Sequence, residues 1–281
     1  MRHLFPVIAL LALTPLLTLR AQDVNGPAFE TATIKESTGP SPGVRAPDRF
    51  SRPYITLSQL LIYAYGVLEF QIEGGPAWVR EQYFDVQAKA EGRPAADQMR
   101  MMVRRLLAER FNLKTHIETR DLPRYALVMT RSDRRLGPRL KRSAIDCPAI
   151  VAARGPDYRP PTFPGPLQPG DPPRCALMVA AGGGSMTMFV EGQPMPEIAR
   201  LLQPQAGRIV LDKTGLTGTF DMQLETEPRL PPGFPADAFG VPREGLSLFT
   251  ALPEQLGLKL ESERGPVDIL VIDSVDPPTP N

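Results

Sequence analysis

The sequence predicts an α+β protein built from two similar small modules, in which mixed sheets carry helices on one face. Segments with helical and strand-like hydrophobic periods alternate along the chain, and their order repeats in the second half. A stretch rich in proline and glycine separates the halves. We therefore expect a first module over residues 22–142, a linker over 143–184 and a second module over 185–281, each module with a βαββαββ-like order.

The N-terminus has the features of an export signal. A short basic stretch precedes an apolar run over residues 4–19, and the chain turns polar after Ala21. The run has 16 residues, fewer than the roughly 20 that a membrane-spanning helix needs. We expect a signal peptide over residues 1–21 and a mature protein in the periplasm or outside the cell, with no transmembrane span after cleavage. A retained N-terminal anchor is the alternative.

The charge balance limits the classes of partner. The 281-residue chain has a net charge of +1, and loss of Arg2 and Arg20 with the signal leaves 30 basic and 31 acidic residues. Such a surface has no electrostatic attraction for nucleic acid or anionic lipid. The expected partner is therefore an envelope protein or a small ligand, and not a nucleic acid.

In the first half, the pattern predicts a helix over residues 56–66, with Thr56 as its N-cap and Gly66 as its C-terminal stop. Residues 83–89 alternate like a strand. Asp97 is the expected cap of a second helix that ends near residues 111–112. Its apolar face is predicted to consist of Met99, Met102, Val103, Leu106 and Leu107. Two strands, residues 113–119 and 125–130, are expected around a turn at residues 121–124.

The second half repeats this order. We expect a helix over residues 194–202, a strand over 219–224 and a helix over 247–256 that ends at Gly257. Pro253 falls inside the last helix and should kink it, because proline removes a backbone hydrogen bond. Two final strands, residues 258–263 and 267–275, are expected around Gly265 and Pro266. An irregular insert is predicted over residues 228–242.

Short sequence anchors recur in the same order in both halves, which indicates an internal duplication of a small α+β unit. Chance similarity between two unrelated units is the alternative. Asn112 occupies the position of Gly257, and both residue types tolerate the left-handed conformation that ends a helix. The matching segments are residues 84–87 with 220–223, 108–114 with 253–259, and 126–128 with 269–271, with Pro123 matching Pro266.

Cys147 and Cys175 are the two cysteines of the chain. In an oxidising compartment an even number predicts one disulfide. The bridge would close a loop of 27 intervening residues and stabilise the fold by roughly 3–4 kcal/mol through loop entropy. A redox or metal pair would need the close C-x-x-C spacing, which this sequence lacks. We therefore expect a structural bridge within the linker.

Motifs for catalysis are sparse. His116 is the one histidine after the predicted signal, so an H-E-x-x-H zinc site is excluded, and we expect an exposed residue on a strand face. Residues 212–215 share letters with motifs of cation-pumping ATPases and penicillin-binding enzymes, but no lysine follows a serine at the S-x-x-K spacing. We interpret Asp212, Gly215 and Gly218 as a structural turn.

Two other features are candidates for binding or catalysis. Gly74, Gly75 and Trp78 form a loop that could contact a ligand, and a buried tryptophan anchor is the alternative. Asp85 and Asp221 occupy matching positions, which indicates a shared structural role. A pair of carboxylates in a cleft between the modules would instead make a hydrolase of an envelope or extracellular polymer, and this is the alternative function. No catalytic residue, cofactor or metal is expected.

Five strings in the sequence, residues 29–35, 74–78, 106–111, 210–218 and 254–260, together resemble a known family. It is a family of exported proteins of unknown function, expanded in soil bacteria and chiefly in the Acidobacteria. The resemblance covers residues 29–275 and implies no catalytic residues. Pro253 stands where the family pattern has glutamine, so the helix there is expected to be irregular. Some members are joined to membrane metallopeptidase sensors, which implies a sensing context.

Each half is also similar to the short N-terminal domain of secretins and TonB-dependent transporters. The shared feature is a helix followed by Gly-Leu, a strand, a turn and an apolar strand, as in residues 252–272. Those domains bind partners in the periplasm. The sequence therefore predicts an exported, non-catalytic protein of the cell envelope that binds a ligand or partner, is linked to sensing, and offers strand edges for β-addition.

Overall fold

The computed structural model of the protein describes residues 26–39, 43, 46, 48–154, 175, 177–182, 185–227 and 245–278. The predicted signal peptide over residues 1–21 and the insert predicted over residues 228–242 lie outside the described residues. Strands and helices are both abundant in the described part, which confirms the predicted α+β class. No helix in that part is long and apolar enough to cross a membrane.

The strands are β1 (Thr31–Glu36), β2 (Arg49–Thr56), β3 (Ile72–Gly74), β4 (Tyr83–Lys89), β5 (Lys114–Met129), β6 (Leu140–Arg142), β7 (Met178–Gly182), β8 (Ser185–Pro194), β9 (Val210–Asp212), β10 (Thr219–Thr226) and β11 (Leu258–Ser274). The α-helices are α1 (Leu57–Tyr65), α2 (Trp78–Glu81), α3 (Ala96–Arg110), α4 (Cys147–Arg154), α5 (Met195–Ala206) and α6 (Leu248–Ala251). A 3₁₀ turn, Glu69–Gln71, precedes β3, and a π-helical turn, Leu252–Leu256, follows α6.

These strands form three sheets. The first has the order β1-β4-β2, the second β6-β10-β8-β7, and the central sheet β3-β11-β5-β9. The first and second sheets are antiparallel throughout. In the central sheet β5 and β11 are antiparallel, whereas the short outer strands β3 and β9 run parallel to their neighbours.

The capping signals of α1 are confirmed. The Thr56 hydroxyl accepts a hydrogen bond from the Gln59 amide at 3.2 Å, and the Gln59 side chain accepts one from the Thr56 amide at 3.0 Å. This reciprocal pair satisfies two amides that a helix start leaves free. Gly66 ends the helix in the left-handed conformation, with φ of 68°.

The apolar face predicted for α3 is confirmed, since all five of its residues are buried. The prediction that Asp97 caps this helix is wrong. The helix begins one residue earlier, and its N-cap Ala95 is held by a hydrogen bond from its amide to the Gln98 side chain at 3.1 Å. Asp97 lies in the first turn, where a carboxylate still favours the helix dipole, and it pairs with Arg100. Asn112 follows with φ of 47°, as expected for a helix stop.

The last helix is irregular, as Pro253 predicts. After α6 the backbone widens into the π-helical turn that contains Pro253, and Gly257 ends it with φ of 69°. Proline has no amide to donate to the preceding turn, so a regular α-helix cannot continue through it. Gln255 fixes the irregular turn to β10, because its side-chain amide bonds both the amide and the carbonyl of Glu225, at 2.9 and 2.8 Å.

The predicted turns at residues 121–124 and at Gly265 and Pro266 are wrong. Each pair of predicted strands is one long strand, and β5 and β11 pair with each other over almost their whole length. Tyr125 donates its amide to Ile209, so it faces away from β11. The backbone nitrogen of Pro123, two residues earlier, also points away from β11, and the nitrogen of Pro266, the register partner of Asp121, points away from β5. Both prolines therefore sit where the ribbon needs no amide donor.

Each strand of this ribbon begins in one hydrophobic core and ends in the other. The core of the first sheet, α1 and α3 contains Leu113, directly before β5, and it also contains Leu270 and Ile272 from the end of β11. The core of the second sheet, α5 and α6 contains Leu258 from the start of β11 and Leu127 from the end of β5. The central sheet thus takes strands from both predicted modules.

The stretch predicted as a linker also has structure in its described part. It contains α4 over Cys147–Arg154 and the edge strand β7 over Met178–Gly182. The helix predicted over residues 194–202 extends to Ala206, with Pro204 near its end. β7 is ordered by its pairing with β8, although its local composition favours irregular structure.

His116 lies on β5 between two carboxylates. Its Nδ1 is 2.7 Å from Asp273 on β11, and its Nε2 is 3.3 Å from Glu118. Hydrogen bonds to Glu118 and Asp273 raise the pKa of His116 above its ordinary value of 6.5. Arg120 completes the row, because it pairs with Glu118 and Glu73 and holds the pKa of Glu118 below its ordinary value.

Leu270→Ala tests the link between the end of the chain and the first core. Leu270 is fully buried, so we expect the free energy of unfolding in urea to fall by about 2–5 kcal/mol. Hydrogen exchange should become faster in α1 and α3, although they lie more than 150 residues earlier in the chain. Leu246→Ala, at a residue that is 41% exposed, is the control and should change stability by less than about 0.5 kcal/mol. Unchanged exchange in α1 and α3 would contradict the shared core.

The position of His116 predicts a pH dependence of stability. Because folding raises the pKa of His116, the stabilisation is complete below pH 6.5 and is lost as the pH rises through the raised pKa. We expect the melting temperature of the wild type to exceed that of His116→Gln at about pH 5.5, with the difference vanishing near about pH 9. Lys114→Gln, an exposed change on the same strand, should show no such trend. A constant difference would refute the role of the imidazolium.

Candidate functional site

A disulfide holds the segment before β7. Cys147 and Cys175 are bridged, with Cα atoms 5.2 Å apart, which confirms the predicted pairing. Cys147 is buried at the start of α4, and Gly192 of β8 packs tightly against it: a Cβ added at Gly192 would lie 2.9 Å from its Sγ. Cys175 precedes β7 by three residues. The bridge therefore fixes the start of β7 beside β8.

The strand β7 forms an open end of the second sheet. It pairs with β8 from Met178 opposite Phe189 to Gly182 opposite Ser185. On its other side no strand of the described residues pairs with it. Its outward amide and carbonyl groups are therefore available to another strand.

Apolar side chains surround this open edge. Val179 is 51% exposed although its cross-strand partner Met188 is buried, so the apolar inner face of the sheet continues to the edge without cover. Phe189, on the opposite face, is 37% exposed, and Leu177 just before the strand is 39% exposed. An added strand would bury this surface, which water now contacts.

The other edge strands of the described structure have features that discourage pairing. β1 carries Lys35 and Glu36, and β2 contains Pro53 within a bulge. β3, β6 and β9 have only three residues each. Charge, proline, bulges and short length are the usual protections of sheet edges. β7 has five residues, none charged and none proline, so it is the unprotected edge among those described.

This edge was missed by the sequence analysis, which placed residues 178–182 in a linker. A local signal was present, since Met186, Met188 and Val190 alternate with other residues like a strand. Glycines 182–184 separate that segment from the apolar Val179 segment, which is typical of a hairpin connection.

The loop with Gly74, Gly75 and Trp78 packs on the first core. Trp78 stacks near Phe111 and meets Phe84 edge to face, with ring centroids 6.3 and 6.4 Å apart. Gly74 has φ of 78°, and a Cβ there would lie 2.8 Å from the carbonyl of Ile272. These contacts support a role for Trp78 as a packing anchor of the loop. At Gly74 the backbone lies so close to Ile272 that a side chain would not fit.

The turn after β9 contains Asp212, Gly215 and Gly218. One carboxylate oxygen of Asp212 accepts hydrogen bonds from the Thr214 amide and hydroxyl, at 2.9 and 2.7 Å. Gly215 and Gly218 have φ of 63° and 88°, and Arg134 donates to the carbonyl of Gly215. Asp212 is thus occupied within its own turn.

Asp85 and Asp221 make the same local contact in two different sheets. Asp85 accepts the amide of Tyr54 at 2.9 Å, and Asp221 accepts the amide of Gly192 at 2.9 Å. Both amides belong to β-bulges: Tyr54 lies in a bulge of β2, and Gly192 lies in a bulge of β8 opposite β10. The shared structural role expected for these aspartates therefore has a geometric basis, and the two aspartates lie in different sheets.

Two carboxylates line a groove on the surface beside α3, and both are paired with cations. Between the N-terminal residues and α3, Glu30 pairs with Lys89 and Glu109 with Arg105 at 2.7 Å. Within the described residues, no cluster of three or more histidine, cysteine, aspartate or glutamate side chains could hold a metal ion. Both carboxylates that line this groove are thus held in ion pairs.

Comparison with known proteins gives one relationship. The search of curated proteins and the search of solved structures found no match. A family model described as "Protein of unknown function (DUF3738)" matches residues 58–275. That match covers the second core, the ribbon, β7 and the first core apart from Ile34, Phe50 and Leu57. The chain therefore belongs to the DUF3738 family of proteins of unknown function.

Proposed function

We propose that this protein is an exported, non-catalytic binding protein of the cell envelope, and that it binds a partner by adding one of the partner's strands to β7. The observation that carries the proposal is the open, uncharged edge of β7 beside exposed Val179. Backbone hydrogen bonds would supply affinity, and side-chain pockets beside the edge would supply selectivity.

The predicted signal over residues 1–21 and the Cys147–Cys175 bridge support export, because disulfides persist in oxidising compartments. The resemblance of each half to the N-terminal domains of secretins and TonB-dependent transporters supports a periplasmic partner. Some members of the family that the sequence resembles are joined to membrane metallopeptidase sensors, which supports a role in sensing. The partner is then a protein segment presented outside the cytoplasm.

The edge defines the chemistry of that segment. It is extended, about five residues long to match Met178–Gly182, and free of charge along the paired stretch. The residue opposite Val179 is apolar, because it joins the face that contains buried Met188. A β-branched or aromatic residue would be favoured there by cross-strand packing.

We further propose that the protein arose by duplication, with units at residues 22–142 and 185–281 that exchange their last strands. The central strand β4 pairs with β1 and β2 of its own unit, and the central strand β10 pairs with β8 of its own unit and with β6 from the end of the first unit; each central strand carries the bulge-binding aspartate. The short strands β3 and β9 each pair with the long strand of the other half. Residues 143–184 connect the units and supply β7.

Val179→Lys tests the binding edge, with Val179→Thr as the matched control. Lysine puts a charge on the edge and should prevent strand addition, whereas threonine keeps the β-branched shape without charge. With each variant as bait in an envelope extract, quantitative mass spectrometry should recover a partner with wild type and Val179→Thr. Recovery with Val179→Lys should fall by about tenfold or more. The amides of residues 178–182 should gain protection from hydrogen exchange when that partner is added.

Equal recovery by the lysine and threonine variants would contradict binding at β7. Light scattering of the purified protein tests whether a second copy of the chain, rather than an envelope partner, occupies the edge. If wild type forms a dimer that Val179→Lys abolishes, the strand added to β7 comes from a second copy of this chain, and the proposal of an envelope partner fails.

A further inference from the structure

The strand β7 has few side-chain contacts that would hold it on the second sheet. Met178, Val179 and Ala180 all lie outside the second hydrophobic core, and the last two are exposed. The strand ends in Ala-Ala-Gly, residue types with small or no side chains and a low preference for strands. Among the described strands β7 pairs with β8 alone. Its backbone hydrogen bonds and the disulfide before it are therefore its main attachments.

The Cys147 end of that disulfide is fixed to the second sheet by contacts that do not involve β7. The Thr219 hydroxyl of β10 donates a hydrogen bond to the carbonyl of Ile145 at 2.7 Å, and the Ser143 amide donates one to the carbonyl of Thr219 at 2.9 Å. Two residues after Ile145, Cys147 is fully buried and packs against Gly192 of β8. Cys147 thus belongs to the firmly packed part of the second sheet.

Cys175, at the other end of the bridge, has an unfavourable backbone conformation. Its φ is 49°, in the left-handed region, where residues other than glycine are uncommon, and Tyr54 in β2 has a similar φ of 51°. Cys175 precedes β7 by three residues and is bonded to Cys147. Breaking that bond would free Cys175 to adopt an ordinary backbone conformation. Loss of the bridge therefore favours departure of the segment that leads into β7.

We propose that the Cys147–Cys175 bridge is a redox latch, which keeps β7 on the second sheet only while the bridge is oxidised. Reduction releases β7 from β8 and removes the binding edge, and oxidation restores both. The effect on partner binding rests on the function proposed for β7, whereas the release of the strand does not. Because the reduced chain lacks the edge, the latch confines binding to an oxidising compartment.

A dithiol reductant supplies the two electrons that open the latch. One of its thiolates attacks the Sγ atom of Cys175, which is 8% exposed where Cys147 is fully buried, and the bond between the two Sγ atoms breaks. Cys147 leaves as a thiolate and takes up a proton. The second thiol of the reductant then attacks the mixed disulfide, so that Cys175 leaves and is protonated in turn, while the reductant becomes a disulfide. The bridge is the substrate of this exchange and not its catalyst, so it does not need the C-x-x-C spacing of thiol oxidoreductases.

Hydrogen exchange of the full chain tests the latch directly. We expect the amides of residues 178–182 to exchange at least about tenfold faster in Cys147→Ala/Cys175→Ala than in oxidised wild type, because β7 is released. Residues 185–189, which pair with β7, should also exchange faster, while α5 and β10 in the second core keep their protection. Wild type in dithiothreitol should match the double variant, and it should regain protection when oxidised glutathione replaces the reductant. Dithiothreitol should change nothing in the double variant.

Unchanged exchange at residues 178–182 after loss of the bridge would overturn the latch. Loss of protection throughout α5 and β10 would overturn it as well, because the bridge would then hold the whole second core together and not β7 alone.

The rate at which the bridge is reduced gives a second measurement, followed by alkylation of the freed thiols and mass spectrometry. Because β7 opens locally, we expect dithiothreitol to reduce the bridge of wild type at least about tenfold faster than the second core unfolds. A bridge that is reduced only as fast as the second core unfolds would contradict a latch that opens by itself.

Partner recovery separates the latch from the function proposed for β7. With oxidised wild type and the double variant as baits in an envelope extract, recovery of the partner should fall at least about tenfold in the variant. Equal recovery by the two baits would overturn the control of binding by the bridge. If oxidised wild type recovers no partner, the proposed function of β7 fails, and hydrogen exchange still decides whether the bridge latches the strand.

Discussion

The antiparallel pairing of β5 with β11 is the constraint on which the rest of the structure depends. Each strand leaves the core next to its own helix and ends in the core of the other half. Neither core is complete without a strand from the other half, so the two cores stabilise each other. The ends of the ribbon are apolar, and its middle, near Asp121 and Arg264, is exposed and polar. The hydrophobic contribution is thus concentrated at the two ends.

This arrangement also explains why long strands tolerate prolines. Pro123 and Pro266 face outward in the middle of the ribbon, beyond the residues with which β9 and β3 pair. A proline at an inward position would remove a hydrogen bond from the ribbon itself. With both prolines facing outward, the hydrogen bonds between β5 and β11 stay intact. Each outer edge of the ribbon also lacks one amide donor at the proline, which protects it against an added strand.

Sequence reasoning succeeded where the determining contacts are local. Thr56 and Gly66 bound α1 through contacts within one turn, and the apolar face of α3 follows from helical spacing. It failed where the partner is distant: a turn at Asp121 was a sound local interpretation, and only β11, more than 130 residues later, keeps β5 extended. β7 was missed for the same reason, because its pairing with β8 overrides a composition typical of linkers. Nothing local marks the left-handed conformation of Tyr54, since glycine is the usual signal for it.

Three conflicts between local preference and fold have different resolutions. Pro253 interrupts a helix, and the chain itself compensates, because Gln255 reaches the backbone of β10 from the widened turn. Tyr54 gains its stack on Tyr83, yet both rings lie on an outer face that the described chain leaves open. The β7 edge beside Val179 has no compensating contact among the described residues. The conflict at Pro253 is thus compensated within the chain, whereas the conflicts at Tyr54 and Val179 lie at the surface of the described structure.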